Sequence, residues 1–193
     1  MKIGIDIDNT ICNTSECVLN YVNQKIGTNL CIKDIKEYYM ERFIPEEHKH
    51  LILQAFHDKE MWKNVSLFPT AKYYIDKLTN EGYDIYFVTA TTFANIDKKS
   101  SFLKRNFPRI NINDKLINIK YKQLLNLDIM VDDFLENLIG ERTYYSICLD
   151  YAWNQTNELI PCFSRATGWN DVYNKVKMVE SLLKENENDV VTS

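Results

Sequence analysis

Four apolar segments of the sequence each end in residues that could bind a metal ion or a phosphate group. These residues are Asp6 and Asp8, Thr89, Asp132 and Asp133, and Asp150. Carboxylates that lie close together repel one another, so a cluster of them needs a cation. Carboxylate oxygens prefer a hard ion, first of all Mg²⁺. The sequence therefore predicts a magnesium site made of acids, with a hydroxyl group beside it.

The spacing of Asp6 and Asp8 suits hydrolysis of a phosphate ester in two steps. The two acids are two residues apart, and an extended chain points such side chains to the same face. Asp6 can attack phosphorus and form an aspartyl phosphate. Asp8 can protonate the leaving alkoxide and then deprotonate the water that clears the intermediate. A metal ion would neutralise charge between the nucleophile and the phosphate.

The apolar segments that carry these residues have the composition of buried parallel strands. They are rich in Ile, Val, Tyr and Phe, and several lack polar alternation, which is typical of a sheet covered on both faces. The predicted strands are residues 2–7, 84–89, 127–131 and 144–149. In open α/β sheets the ligand crevice lies outside the carboxyl ends of the strands. The acids and Thr89 stand at those ends.

Helical patterns at 70–78 and 171–183 alternate with the strands and predict a three-layer α/β/α, Rossmann-like fold. The connection between the first two strands is far longer than the dozen or so residues that a crossover needs. We therefore predict a core of residues 1–11 and 70–193, with a small all-helical cap at 12–69. A larger single domain with extra helices is the alternative.

Three helices are predicted inside the cap, and a frayed tail is predicted after the last helix. The cap helices span residues 16–25, 35–42 and 46–62, the third of them after a proline. The tail from residue 184 is polar and lacks an apolar period, which is typical of a disordered terminus.

Composition excludes several classes of protein. The 193 residues carry a net charge of −4, which gives no electrostatic reason to bind a nucleic acid polymer. No apolar run approaches the roughly 20 residues of a membrane span, and Asp6 stands where a signal peptide would be apolar. The five cysteines are irregularly spaced, so we predict all of them as reduced core residues of a cytoplasmic protein.

The motifs around these residues are similar to those of the haloacid dehalogenase (HAD) superfamily. Its motif I, Asp-x-Asp-x-Thr, resembles residues 5–10, IDIDNT. Thr89 resembles the motif II residue that holds a phosphate oxygen, and Asp132-Asp133 resembles motif IV, which supplies further metal ligands. Lys122, ten residues before Asp132, resembles the motif III lysine that pairs with the nucleophile and the transferring phosphoryl group. Lys120 is the alternative.

A narrower resemblance, over nearly the whole chain, is to the 5'(3')-deoxyribonucleotidase family and its bacterial relatives. The segments that carry it are the spacing from Lys122 to the acid pair, CLDYAWN at 148–154, and GWND at 168–171. This resemblance implies a Mg²⁺-dependent phosphatase that hydrolyses nucleoside monophosphates. It also implies the roles of the site residues: Asp6 as nucleophile and Asp8 as general acid/base; Thr89, Ala90 and Lys122 as phosphate ligands; Asp6, Asp8, Asp132 and Asp133 as metal ligands. A homodimer is left open.

Two departures from the vertebrate enzymes keep other functions open. Ala90 replaces a serine after the motif II threonine, although its backbone N–H can still donate to phosphate. Thr14 replaces a phenylalanine that packs on the base. A HAD phosphatase for another small phosphorylated metabolite is therefore the second hypothesis. A relative that binds without turnover is the third, which the presence of Asp6 and Lys122 disfavours.

The remaining candidates each have a structural alternative. Five aromatic residues of the cap could stack on a base or pack inside the cap: Phe43, Tyr38, Tyr39, Phe56 and Trp62. Asp150 could orient the water shell of the metal or end a turn. We predict Trp153 and Trp169 as core residues, Asn9 as facing away from the crevice, and His48, His50 and His57 as surface residues rather than metal ligands.

Overall fold

A computed structural model describes residues 1–139, 144–156 and 160–191, with side chains described up to residue 185. Its centre is a six-stranded, wholly parallel sheet with the strand order β3-β2-β1-β4-β5-β6. The strands are β1 (Lys2–Asp6), β2 (Asp84–Thr89), β3 (Leu116–Asn118), β4 (Ile129–Asp132), β5 (Tyr145–Leu149) and β6 (Phe163–Ala166). The predicted α/β class is confirmed, and each of the four predicted strands is present within two residues.

Strand β1 lies in the middle of the sheet, and its three inner residues, Ile3, Gly4 and Ile5, are apolar or small and buried. Ile5 pairs with Phe87 of β2 on one side and with Val131 of β4 on the other. All three side chains are buried. Gly4 faces a crowded space, where an added Cβ would lie 2.5 Å from the Leu127 Cδ1 atom. This packing fixes the position at which β1 ends, and therefore the position of Asp6.

Seven α-helices accompany the sheet in the described part of the chain. They are α1 (Thr14–Ile26), α2 (His50–His57), α3 (Lys59–Asn64), α4 (Ala71–Asn80), α5 (Phe93–Asn106), α6 (Ile112–Lys115) and α7 (Trp169–Val191). The predicted helices at 70–78 and 171–183 are confirmed as α4 and α7. The prediction of a frayed tail is wrong for residues 184–191, which continue α7. The last two residues lie outside the described part of the chain.

Residues 12–69 leave the sheet after β1 and return before α4, and their two ends are joined. Phe68 N donates to Ile11 O at 2.9 Å, and Asn13 N donates to Ser66 O at 3.2 Å. An isolated bridge pairs Cys12 with Leu67 between these two bonds. The segment therefore begins and ends at one point beside the carboxyl end of β1.

The helix predicted at 16–25 is confirmed as α1, but the helix predicted at 35–42 is wrong. Only short 3-10 turns form nearby, at Ile32–Asp34 and Met40–Phe43. Between them the ring of Tyr38 stacks on Phe134 of the sheet domain, with the ring centroids 3.8 Å apart. A tertiary contact of this kind overrides local helix propensity.

The single helix predicted at 46–62 is a 3-10 turn at Glu46–His48 followed by two α-helices, α2 and α3, with a break at Asp58. The Asp58 carboxylate accepts hydrogen bonds from Glu60 N at 2.6 Å and from Met61 N at 3.1 Å. It therefore caps the first turn of α3, whose N–H groups have no partner within the helix.

Replacing Asp58 with alanine is expected to lower the free energy of unfolding by about 1 kcal/mol, because the first N–H groups of α3 lose their acceptor. Denaturant unfolding of the variant measures this change. Lys59→Ala, one residue away in the first turn of α3, is the control and should change the free energy by less than about 0.5 kcal/mol. Equal losses in the two variants would contradict the capping role.

Two strands and two α-helices are missing from the sequence prediction: β3, β6, α5 and the four-residue helix α6. The edge strands β3 and β6 have only three and four residues, with polar residues among them, so they lack an apolar run. Helix α5 has four buried positions at helical spacing, but two of them are Asn95 and Lys99. A pattern of apolar residues cannot detect a helix whose buried face is half polar.

The cysteines do not all lie in the core. Cys12, Cys17 and Cys148 are buried, whereas Cys31 and Cys162 are exposed, so the prediction is wrong for these two; all five are unpaired thiols. Burial raises the pKa of Cys148 to about 12. Among the described helices, none combines the length and the apolar character that a membrane crossing requires.

Candidate active site

The carboxyl ends of the central strands bring three predicted acids together. Asp6 ends β1, Asp132 ends β4, and Asp133 follows it; one carboxylate oxygen from each lies within 4.8 Å of the others. All three side chains are buried. Three buried oxygen donors at this spacing fit a hard cation. They are the residues of the described chain that could hold a metal ion.

Lys122 is the cation that the protein itself supplies to this cluster. Its Nζ atom donates to Asp6 Oδ1 and, at 2.7 Å, to Asp132 Oδ2. The lysine is buried, and burial favours the neutral amine, but Asp132 and Asp6 outweigh burial and raise the pKa of Lys122. Lys120, the alternative, instead lies over the Tyr121 ring, 5.3 Å from its centroid.

The cluster holds more negative charge than one lysine balances. Burial raises the pKa of Asp6 to about 7, with Lys122 opposing the rise and Asp132 and Asp8 adding to it. Burial also raises the pKa of Asp133 well above its usual range, again with a contribution from Asp132. A divalent cation would reverse both shifts, because it stabilises the ionised carboxylates.

Side chains and backbone around the cluster fix the orientation of its acids. Asp133 Oδ2 accepts from Trp153 Nε1 at 3.2 Å and from Asn9 Nδ2 at 3.5 Å. Asp132 accepts hydrogen bonds from the backbone N–H of Phe134 and from the side-chain Nδ2 atom of Asn137, both at 2.9 Å. Such contacts hold metal ligands in place.

Two of these contacts correct the sequence prediction. Asn9, predicted to face away, has a φ of 55°, and its Nδ2 atom donates to Ser15 Oγ at 2.9 Å as well as to Asp133. Trp153 packs on the core as predicted, but it also donates a hydrogen bond to the acid cluster. Trp169 is a core residue as predicted, and its Nε1 atom donates to Thr10 O at 3.1 Å.

Asp8 lies beside the three clustered acids but has a separate partner. Its carboxylate is not among the three that converge, and its Oδ2 atom accepts a hydrogen bond from Lys99 Nζ. Lys99 also donates to Thr89 Oγ1 at 2.6 Å. Sequence reasoning missed Lys99; the only signal is its spacing of four residues from Asn95 on the buried face of α5.

The predicted phosphate ligands line one cavity with both catalytic candidates. This cavity, which we call the first cavity, has a volume of about 340 Å³. The candidates that line it are Asp6, Asp8, Thr89, Ala90 and Lys122. The aromatic residues Tyr38, Tyr39 and Phe134 line it as well. Asn118 holds the loop that carries Ala90, since it accepts from Thr91 N and donates to Thr91 O, both at 3.0 Å.

A second cavity of about 300 Å³ adjoins the first and shares Asp8, Ala90, Tyr38 and Tyr39 with it. It extends between α2 and α5, where Ile52 and Phe56 form one wall and Asn95 and Lys99 the other. The two cavities together have room for a phosphate group and for a larger organic group attached to it.

The other candidates lie apart from the acid cluster. Phe43 and Trp62 pack in the hydrophobic core rather than along either cavity. None of the three histidines joins the described cluster of acids. Asp150 is exposed and pairs with Arg165 at 2.9 Å. It lines a separate cleft of about 560 Å³ at the start of α7, which contains none of the clustered carboxylates.

The raised pKa values predict how Mg²⁺ and pH act together on stability. Asp6 has a pKa of about 7 in the folded chain, above its ordinary value of 3.8, so without a cation the free energy of unfolding falls as pH rises between these values. Cation binding needs ionised acids. We expect Mg²⁺ to raise Tm more at about pH 8 than at about pH 5.5. Thermal melts with Mg²⁺ or EDTA measure this, and an equal rise at both pH values would contradict it.

The chain is similar in sequence, over nearly its whole length, to one protein family and to known proteins. Residues 1–182 match the family described as "5' nucleotidase, deoxy (Pyrimidine), cytosolic type C protein". A 5'(3')-deoxyribonucleotidase of Clostridium acetobutylicum is 28% identical over 183 residues, which cover 93% of this chain and 95% of the relative.

Two solved structures of hydrolases share the fold at low identity. A HAD family hydrolase from Deinococcus radiodurans, crystallised with bound phosphate and sodium, has a TM-score of 0.61 at 10% identity, covering 93% of this chain and 96% of its own. A hydrolase from Pseudomonas syringae has a TM-score of 0.57 at 13% identity, with coverage of 92% and 97%. The predicted Rossmann-like HAD architecture is confirmed.

Proposed function

Because the chain belongs to the family of cytosolic type C deoxy-5'-nucleotidases and is thus a phosphoric monoester hydrolase, we propose that it hydrolyses nucleoside monophosphates, with deoxyribonucleotides preferred. We propose Mg²⁺ as its cofactor and an aspartyl phosphate on Asp6 as its intermediate. The observation that carries the proposal is the convergence of Asp6, Asp132 and Asp133 at the carboxyl edge of the sheet, where Lys122 pairs with the first two. The roles of the individual residues are part of the proposal.

In the first step Asp6 is the nucleophile and Asp8 the acid. A carboxylate oxygen of Asp6 forms a bond to phosphorus while the ester P–O bond breaks, and the electron pair leaves with the alkoxide oxygen. Asp8 gives that oxygen a proton, and the nucleoside departs. Lys122, the Thr89 hydroxyl and the Ala90 N–H stabilise the negative charge on the transferring phosphoryl group.

In the second step Asp8 acts as a base toward a water molecule, and Asp6 is the leaving group. Asp8 takes a proton from a water molecule, whose oxygen attacks phosphorus. The bond between Asp6 and phosphorus breaks, which releases inorganic phosphate, restores the Asp6 carboxylate and leaves Asp8 protonated for the next cycle. When bound by Asp6, Asp132 and Asp133, Mg²⁺ would neutralise charge between the nucleophile and the phosphate dianion.

The nucleoside is proposed to occupy the second cavity, under the cap of residues 12–69. Phe56 and Tyr39 line that cavity, and aromatic faces stack on bases of any kind. Thr14, which stands where vertebrate relatives carry a phenylalanine, is buried and lines neither cavity. We therefore propose that Phe56 and Tyr39 contact the base in place of the phenylalanine that this chain lacks.

Phosphate release measured across a panel of substrates tests this proposal. The panel contains 5'- and 3'-nucleoside monophosphates with ribose or deoxyribose, sugar phosphates and p-nitrophenyl phosphate, all with Mg²⁺. We expect kcat/KM to be highest for deoxyribonucleotides, and Phe56→Ala to lower it about 10-fold for nucleotides alone, by loss of stacking. Turnover of sugar or aryl phosphates without nucleotide turnover would instead support a HAD phosphatase for another small metabolite.

A further inference from the structure

Lys99 is a buried lysine at the edge of the active site whose partners are two proposed catalytic-site residues. Its side chain is 1% exposed and projects from the middle of α5. Burying an ammonium group is costly unless it is paired. Its described partners are Asp8 Oδ2 and Thr89 Oγ1. The lysine therefore joins α5 to the ends of β1 and β2, at the two groups that would flank a bound phosphate ester.

The contact with Asp8 constrains one of its two carboxylate oxygens. Lys99 holds Oδ2. The other oxygen, Oδ1, is buried and accepts no hydrogen bond from any described residue. Asp8 lines both the first and the second cavity. The Asp8 side chain is nevertheless partly exposed, so Oδ2 is the carboxylate oxygen that faces the cavities. Lys99 therefore fixes where this oxygen lies relative to the ester oxygen that joins phosphate to nucleoside.

The contact with Thr89 constrains the direction of a hydroxyl proton. A lysine ammonium group has three donors and no acceptor. Thr89 Oγ1 must therefore accept the bond from Lys99, at 2.6 Å, and its own proton is left to donate elsewhere. Thr89 lines the first cavity, where a phosphate oxygen is the acceptor that this proton would meet. One lysine thus fixes both the direction in which the Thr89 hydroxyl donates and the position of the Asp8 Oδ2 atom.

We propose that Lys99 is a positioning residue for the leaving-group side of the reaction. It anchors Asp8 so that one carboxylate oxygen serves the ester oxygen, and it turns the Thr89 hydroxyl proton toward the phosphoryl group. This inference rests on the proposed phosphatase function. It differs from the role of Lys122, whose described partners are Asp6 and Asp132 rather than Asp8.

The test compares leaving groups on one enzyme sample. General acid catalysis matters little for p-nitrophenyl phosphate, whose leaving group needs no proton, and much for a nucleoside monophosphate. In Lys99→Met we expect kcat/KM for the nucleotide to fall about 100-fold, as for a misplaced catalytic group, and kcat/KM for the aryl phosphate to fall less than about 10-fold. This parameter reports the steps up to release of the leaving group and excludes hydrolysis of the aspartyl phosphate, which both substrates share. The ratio of the two rates does not depend on the fraction of folded protein, so partial misfolding cannot imitate the result.

Four further variants complete the experiment. Lys104→Met carries the same substitution on the exposed face of α5 and should leave both rates unchanged. Lys99→Arg retains a cation and should recover part of the nucleotide rate. The rate of the double variant, Asp8→Asn with Lys99→Met, should lie within about threefold of the rate of Asp8→Asn alone. The reason is that Lys99 acts through Asp8, and the effects of residues that act as a unit are not additive.

Equal loss on both substrates in Lys99→Met, or a double variant slower by the product of the single effects, would overturn the positioning role while leaving the phosphatase intact. A wild-type protein inactive on every ester would instead overturn the proposed function, and with it this inference. The two failures are therefore distinguishable in the same set of assays.

Discussion

Replacing Asp6 with asparagine is expected to lower kcat for nucleoside monophosphates by about 10⁴-fold or more, with the fold retained. An amide of the same size cannot form the aspartyl phosphate. Burial already disfavours the ionised form of Asp6, whose pKa is raised to about 7, so removing the charge should not destabilise the chain strongly. Phosphate release gives the rate, and a thermal melt gives the stability.

Asp150→Asn is the matched control for this substitution. Asp150 follows strand β5 much as Asp6 ends strand β1, but it is exposed and paired with Arg165. The control should keep kcat within about twofold, as expected for a surface substitution. An Asp6→Asn protein that retained a tenth or more of the wild-type rate would contradict the nucleophile assignment.

Lys122→Met is expected to have the largest effect on stability, a loss of about 3–5 kcal/mol in the presence of EDTA. The reason is that Asp6 and Asp132 would remain buried without the cation that pairs with both. Mg²⁺ should restore part of this loss, since it can neutralise the same carboxylates. The rate should fall about 100-fold or more even with Mg²⁺, because charge stabilisation of the phosphoryl group is lost.

Denaturant unfolding with and without Mg²⁺ measures the stability effect, and Lys120→Met provides the control. Lys120 is exposed, lines the first cavity and has its Nζ atom over the Tyr121 ring rather than in a buried ion pair, so its loss should change the free energy of unfolding by less than about 0.5 kcal/mol. Comparable losses in the two variants, or a loss in Lys122→Met that Mg²⁺ leaves unchanged, would contradict the electrostatic role of Lys122.

The sequence predicts the centre of the fold and the acids of the site for one physical reason. Strands β1 and β4 are uninterrupted apolar runs that end in acids, and parallel strands present their carboxyl ends at one edge. An apolar strand and the residue that ends it can both be identified from a single sequence. Asp6, Asp132 and Asp133 therefore converge where the sequence indicates.

The rest of the site could not be predicted because it depends on contacts between distant segments. Lys99 lies on a helix whose buried face also carries Asn95, so the apolar pattern that would identify the helix is absent. Tyr38 lies in a segment with helical propensity that stacks on Phe134 instead. The edge strands β3 and β6 form by pairing with their neighbours rather than by their own composition.

Trapping the covalent intermediate tests the proposed mechanism most directly. The protein would be mixed with Mg²⁺ and a deoxyribonucleoside monophosphate, quenched during turnover, and treated with borohydride, which reduces an acyl phosphate to an alcohol. Mass spectrometry of the peptides then locates the residue converted to homoserine. We expect conversion at Asp6 alone, dependent on nucleotide and absent in Asp6→Asn. Turnover without conversion, or conversion at Asp8 instead, would contradict a phosphoryl group carried by Asp6.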